Sequence, residues 1–188
     1  MRDKNELEIR RLREGYILFS AGDANILHVD ATIKKLMFLS KEHETELFQA
    51  FSLVPVISKF QLDVILEQTL SSFEDKTNIV KQPSLEFLLR LCATRDLNKA
   101  IRTVGIKEGK QDLGIIVFAK NKETCKKIYS SVKNILEMNE NNNLLDSNFG
   151  KNKKTLMNIY GIDSSQELDK NMVEKLVIEK IALLSLED

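Results

Sequence analysis

Four basic side chains, Arg90, Arg95, Lys99 and Arg102, and the hydroxyl of Thr94 fall within one short stretch, Pro83 to Lys107 (PSLEFLLRLCATRDLNKAIRTVGIK). Cations at this density can hold phosphates, and a planar guanidinium can also stack on an unpaired base. From Pro83 to Lys110 six cations face only Glu86, Asp96 and Glu108, whereas residues 40–76 set Lys41, Lys59 and Lys76 against seven carboxylates. The asymmetry fits a polyanionic partner, and it equally fits an ordinary charged helix surface. Phe87 is the only aromatic in Pro83–Lys107, so bases held there would lie on aliphatic walls.

No catalytic constellation is complete. His28 has no nucleophile beside it in the sequence. His43 sits among Glu42, Glu44 and Glu46, but neighbours at i±1 point to different sides of a helix, so a solvated loop is expected rather than a metal site. Gly105–Lys110 (GIKEGK) is one residue short of a phosphate-binding loop, has Gln111 where magnesium needs a hydroxyl, and leads into a strand. Cys92 and Cys125 are far apart, which suits a reducing compartment, and Cys92 stands on an apolar face as a small hydrophobe. No catalytic residue, metal or cofactor is expected. A small enzyme would have to draw its acid or base from Glu86, Asp96 or His28.

The whole chain excludes other classes. Its 188 residues carry 28 basic and 28 acidic side chains, so nucleic acid binding requires a local patch. No apolar run reaches membrane-spanning length, and the charged start, MRDKNELEIRRLRE, has no secretory core, so a cytoplasmic protein is expected.

The elements that position the basic stretch follow from periodicity. Ser84 is the expected cap of a helix whose Leu85, Leu88, Leu89 and Cys92 share a face. Asp96 caps a second helix with Leu97, Ala100, Ile101 and Val104 inward, and Gly105 is expected to end it in the left-handed conformation. Leu113–Ala119 reads as a buried strand. Upstream, residues 1–14 read as a frayed arm or short helix, Tyr16–Ala21 as a strand ending at Gly22-Asp23, and Asp30 as the cap of a helix reaching Ser40. Gln49–Val56 reads as a further strand. Ser58 and Gln61 form an S-x-x-Q capping box, with Ile57 and Leu62 as the staple, for a helix to Phe73. Downstream come a helix over Lys122–Met138, a mobile asparagine-rich loop over residues 139–154 and a short helix stopped by Gly161. A last helix capped by Ser164 or Ser165 and a closing strand, Ala182–Leu186, complete the chain. The fold class is α/β (α+β), with about four short strands and seven to eight helices in a single domain over residues 1–188.

Glu86-Phe87-Leu88-Leu89-Arg90, the small pair Cys92-Ala93 before Thr94-Arg95, Leu97 with Ala100-Ile101, and the ending Val104-Gly105-Ile106 resemble the signature of the TPRKB family. That family is the kinase-binding subunit of the KEOPS complex of archaea and eukaryotes. The resemblance runs from about Gly15 to the C-terminus, where Val173–Leu186 is similar to the last helix and strand of archaeal members. It departs at Cys92-Ala93, where a Ser and a Gly or Ala are common, and at Asp96, where a Gln is usual.

The resemblance implies a non-catalytic subunit that binds a PRPK-type kinase and ATPase and holds the 3' CCA end of tRNA. A neighbouring subunit then makes threonylcarbamoyladenosine beside the anticodon. Arg90 and Arg95 match motif positions and rank first as tRNA contacts, with Thr94, Lys99 and Arg102 beside them. Arg95 is equally suited to pairing with a helix carboxylate or capping helix carbonyls. Met172, Leu176, Val177 and Ile181 of the last helix, which is apolar nearly all round, are the expected kinase surface; packing in the core accounts for the same residues. A protein-only regulator of a small kinase, with no RNA contact, is the second reading.

Overall fold

The structure, a computed structural model, describes residues 8–43 and 47–184. The chain divides into two compact units, the first built from residues 1–51 and 106–142 and the second from residues 52–105 and 143–188.

The first unit holds a five-stranded sheet and two helices. Its strands are β1 (Ile9–Leu12), β2 (Gly15–Ile26), β3 (Leu47–Ser52), β4 (Gly109–Ala119) and β5 (Asn139–Glu140), in the order β1-β2-β4-β3 with β5 paired to β2. One edge of β2 pairs antiparallel with β4 along its whole length, from Tyr16↔Ala119 to Ile26↔Gly109. The other edge is shared, β1 covering Gly15–Leu18 and β5 covering Gly22 and Asp23, both antiparallel. A Cβ at Gly22 would run into the Asn139 carbonyl, so only glycine allows β5 to approach there.

Helices α1 (Val29–Glu42) and α5 (Lys122–Leu136) belong to the same unit. Alternate residues Leu18, Ala24 and Ile26 of β2 and Leu113, Ile115, Val117 and Ala119 of β4 form one core with Cys125, Ile128, Tyr129, Val132 and Leu136 of α5. The intervening residues Ile17, Ala21 and Ile116 are buried too, so the middle of each strand is covered on both faces.

The second unit is helical: α2 (Lys59–Glu74), α3 (Pro83–Leu91), α4 (Leu97–Val104), α6 (Asn143–Ile159) and α7 (Lys170–Leu183). The Ser58 hydroxyl caps α2 by accepting from the Gln61 N–H at 3.1 Å, and the Gln61 carboxamide reaches back to accept from the Ile57 N–H at 2.7 Å, one residue earlier than a standard capping box. Asp169 caps α7, accepting from the Met172 N–H at 2.8 Å.

The α+β class stands, with seven helices and five strands among the described residues. Several boundaries differ from the sequence expectation. Residues 9–12, expected in an arm, are a strand, because pairing to β2 outweighs their charge. Strand β2 runs through Gly22-Asp23 to Ile26, since β4 is extended to match it. Asp30 lies inside α1, whose N-cap is His28 without a side-chain bond. The expected mobile loop is β5 followed by α6. In α6 Leu145, Leu156 and Met157 are buried, and the buried Asn148 amide donates to the Leu53 and Val56 carbonyls at 2.7 and 2.6 Å. Ala182 and Leu183 finish α7 rather than opening a strand, and Ser185 to Asp188 lie outside the described residues, as do Glu44 and Glu46 of the His43 cluster.

Candidate functional site

The basic stretch forms the α3–α4 corner of the helical unit. Pro83 occupies the first helical position of α3, where its missing N–H costs nothing, and Gln82, not Ser84, is the N-cap. At the other end Ala93 adopts φ 45°, the left-handed conformation. The Ala93 N–H donates to the Arg90 carbonyl and the Thr94 N–H to the Leu89 carbonyl, both at 3.0 Å, which is the Schellman pattern. The small residue between Cys92 and Thr94 is thus the helix stop. Gly105 is not one: its φ of −65° is ordinary, and it is needed because a Cβ there would strike the Ile101 carbonyl that accepts its own N–H.

After the stop the chain turns into α4. The Thr94 hydroxyl accepts from the Asp96 N–H at 3.3 Å, and the Asp96 carboxylate caps α4 by accepting from the Lys99 N–H at 3.0 Å. Ala100 and Val104 are buried, while Lys99, Ile101 and Arg102 face solvent; Ile101, expected inward, is 46% exposed. Arg95 is exposed at the corner and donates from Nη1 to the Leu184 carbonyl at 3.3 Å, so it caps the end of α7.

Arg90 has to be removed from the set of surface cations. It is 1% exposed, and its guanidinium donates from Nε and Nη2 to one oxygen of Glu86 at 3.1 and 2.8 Å and from Nη1 to Gln68 at 3.2 Å. Glu86 is fully buried, and its second oxygen accepts from the backbone N–H groups of Ile79 and Val80 at 2.8 and 3.1 Å. The pair therefore ties α3 to α2 and to the segment before α3, and no phosphate can reach it. The sequence signal was the i, i+4 spacing of Glu86 and Arg90 on a helix flanked by Phe87 and Leu91.

Behind the corner lies a polar group that sequence reasoning missed. The buried Tyr160 hydroxyl lies 2.6 Å from the Leu91 carbonyl and 3.1 Å from that of Pro55, and accepts from the Gln61 carboxamide at 2.7 Å. Burial drives its ionisation well above the usual phenol range, so it stays a donor to the C-terminal end of α3. Cys92, beside the corner, has its thiol pushed up to about 12 by burial, which outweighs the opposite pull of the Lys99 charge.

The expected kinase surface also divides. Val177 and Ile181 are fully buried with Val173, and only Met172 and Leu176, 53% and 36% exposed, reach solvent. Helix α7 is therefore two-faced, and the Ser58 hydroxyl bonded to Glu174 joins its first turns to the start of α2. Of the groups suited to acid or base work, Glu86 is locked in its ion pair and Asp96 in its cap. Among the described residues no cluster of three or more His, Cys, Asp or Glu is placed to hold a metal, and no helix is long and apolar enough to cross a membrane.

The family described as "Kinase binding protein CGI-121" has a model that matches residues 26–185, most of the chain. No curated protein matches the chain at a significant level.

Proposed function

We propose that this chain, which belongs to the CGI-121 family of kinase binding proteins, is the non-catalytic kinase-binding subunit of a KEOPS-type tRNA-modifying assembly. Its partner in this reading is a PRPK-type kinase and ATPase. The family match, which is the same family that the TPRKB resemblance pointed to, carries the kinase-binding part. The exposed Met172 and Leu176 of α7 are the side chains on which that partner would rest, because large apolar groups left in solvent gain most from being covered.

The same reading gives the α3–α4 corner to the 3' CCA end of tRNA. Arg95, Lys99 and Arg102 are exposed there and supply the phosphate contacts, Thr94 supplies a hydroxyl, and the exposed Ile101 supplies an aliphatic wall for a splayed base. Arg90 has no part in it. The Asp96 carboxylate, committed to its cap, leaves the cations of α4 to face outward.

The test is binding of the purified protein to full-length tRNA and to the same tRNA without its CCA end, at two salt concentrations. The expected result is salt-dependent binding that needs the CCA end and weakens in Lys99→Glu and Arg102→Glu. Equal, weak binding of both RNAs would favour the protein-only regulator. Failure of the kinase to co-purify, or co-purification unchanged by Met172→Asp and Leu176→Asp, would refute the assignment of the partner surface.

A further inference from the structure

A second surface of different character lies in the first unit, between its two helices. Phe38, Leu39 and Ile135 line an open groove of about 620 Å³ between α1 and α5, with Lys34 and Lys35 on its α1 wall. Phe38 is 65% exposed and Met37, next to it on α1, is 60% exposed, although Leu39, the residue that follows, is buried in the core. Two large apolar side chains side by side in solvent are unusual on a helix otherwise patterned for one buried face.

The charges beside this groove are one-sided. Helices α1 and α5 together carry seven lysines against three carboxylates, in a protein whose totals balance. Among the described residues lining the groove, Lys34 and Lys35 stand with one carboxylate, Glu42. On α5, Lys127 precedes Ser131 and Ile135 at intervals of four, so it stands on the stripe that lines the groove.

We propose that the α1–α5 groove is a docking site for an acidic amphipathic helix of a partner protein. An apolar stripe at i, i+3/i+4, i+7 lies against Phe38, Leu39 and Ile135, and glutamates or aspartates flanking that stripe meet Lys34, Lys35 and Lys127. A groove suits a rod, which makes contact on both walls at once; a flat lipid surface would touch only the protruding Met37 and Phe38. The surface rests on neither the kinase nor the tRNA reading, since every residue in it belongs to the first unit.

The test uses the full chain and three fluorescein-labelled peptides: a helix with leucines on one stripe and glutamates elsewhere, its counterpart with lysines for the glutamates, and an acidic one with glutamines for the leucines. Anisotropy is expected to show saturable binding of the first peptide alone, weakening as salt rises. Phe38→Glu should weaken it by about tenfold or more, and Lys34→Glu/Lys35→Glu should weaken it by about tenfold while flattening the salt dependence. All three positions are exposed, and the lysine double variant keeps the test valid if Phe38→Glu fails to fold. No binding of the leucine–glutamate peptide, equal binding of the lysine peptide, or indifference to both variants overturns the proposal. So does capture of phosphatidylserine vesicles or tRNA through Phe38 in the absence of peptide binding.

Discussion

Replacing Arg90 with methionine separates a structural role from an RNA-contacting one. The substitution keeps most of the side-chain volume but leaves the Glu86 carboxylate buried without its counter-charge, held only by the Ile79 and Val80 N–H groups. Breaking a buried pair in this way costs about 3–5 kcal/mol, several times the value of an exposed pair. In a protein of this size each kcal/mol moves Tm by about 2–4 °C, so a fall of roughly 6–20 °C is expected. Urea unfolding followed by circular dichroism, with unchanged slope, measures the loss directly. The double variant Glu86→Gln/Arg90→Met removes the stranded charge while an amide oxygen still accepts from Ile79 and Val80, and should recover about 2 kcal/mol. A loss below about 1 kcal/mol for Arg90→Met, or no recovery in the double variant, would refute the reasoning.

Three other outcomes are expected. Neither buried cysteine should react with Ellman's reagent at neutral pH until urea is added; because Cys92 ionises at about 12 when folded and near 9 when unfolded, stability should fall as pH rises above about 9, and less steeply in Cys92→Ala. Burial pushes the Glu140 carboxyl upward, but hydrogen bonds from Tyr129, Lys133 and Asn142 and the Lys133 charge outweigh it and hold the carboxyl below its ordinary value. Stability from this group is therefore present above the ordinary glutamate range and lost as pH falls through the lower folded value, so acid titration of Glu140→Gln should show a shallower decline; an unchanged profile would contradict this. Gly150 lies exposed inside α6 with open space where a Cβ would stand, and Gly150→Ala should raise stability by about 0.5–1 kcal/mol in the same urea assay.

The parts of the fold legible in the sequence were those fixed by local chemistry. The α2 cap at Ser58, the α4 cap at Asp96 and the apolar face of α3 depend on residues within a turn or two of each other, and they stand where expected. The missed elements take their stability from distant partners. The charged strand β1 exists because β2 has an edge to pair, and α6 because Leu145, Leu156 and Met157 are buried and Asn148 donates to carbonyls far away in the chain. The site divided in the same way. Lys99 and Arg102 lie on the outward side of α4, as periodicity required, although Ile101 joins them there, whereas Arg90 satisfied the family motif and the charge count alike and was withdrawn from the surface by tertiary packing. Val177 and Ile181 were indistinguishable from Met172 and Leu176 until the packing of α7 chose one side.

The alignment of β2 with β4 has a consequence for the order in which this chain can fold. Strand β2 is complete once Ile26 has left the ribosome, yet its full-length neighbour, from Gly109 to Ala119, is synthesised only in the second half of the chain. Until then the nascent chain carries a long, apolar strand with an unpaired edge while α2, α3 and α4 form from near neighbours in sequence. The first unit is thus the slow one and the more exposed to chaperones and to aggregation, and a chain cut after Gly105 leaves β2 without its principal partner.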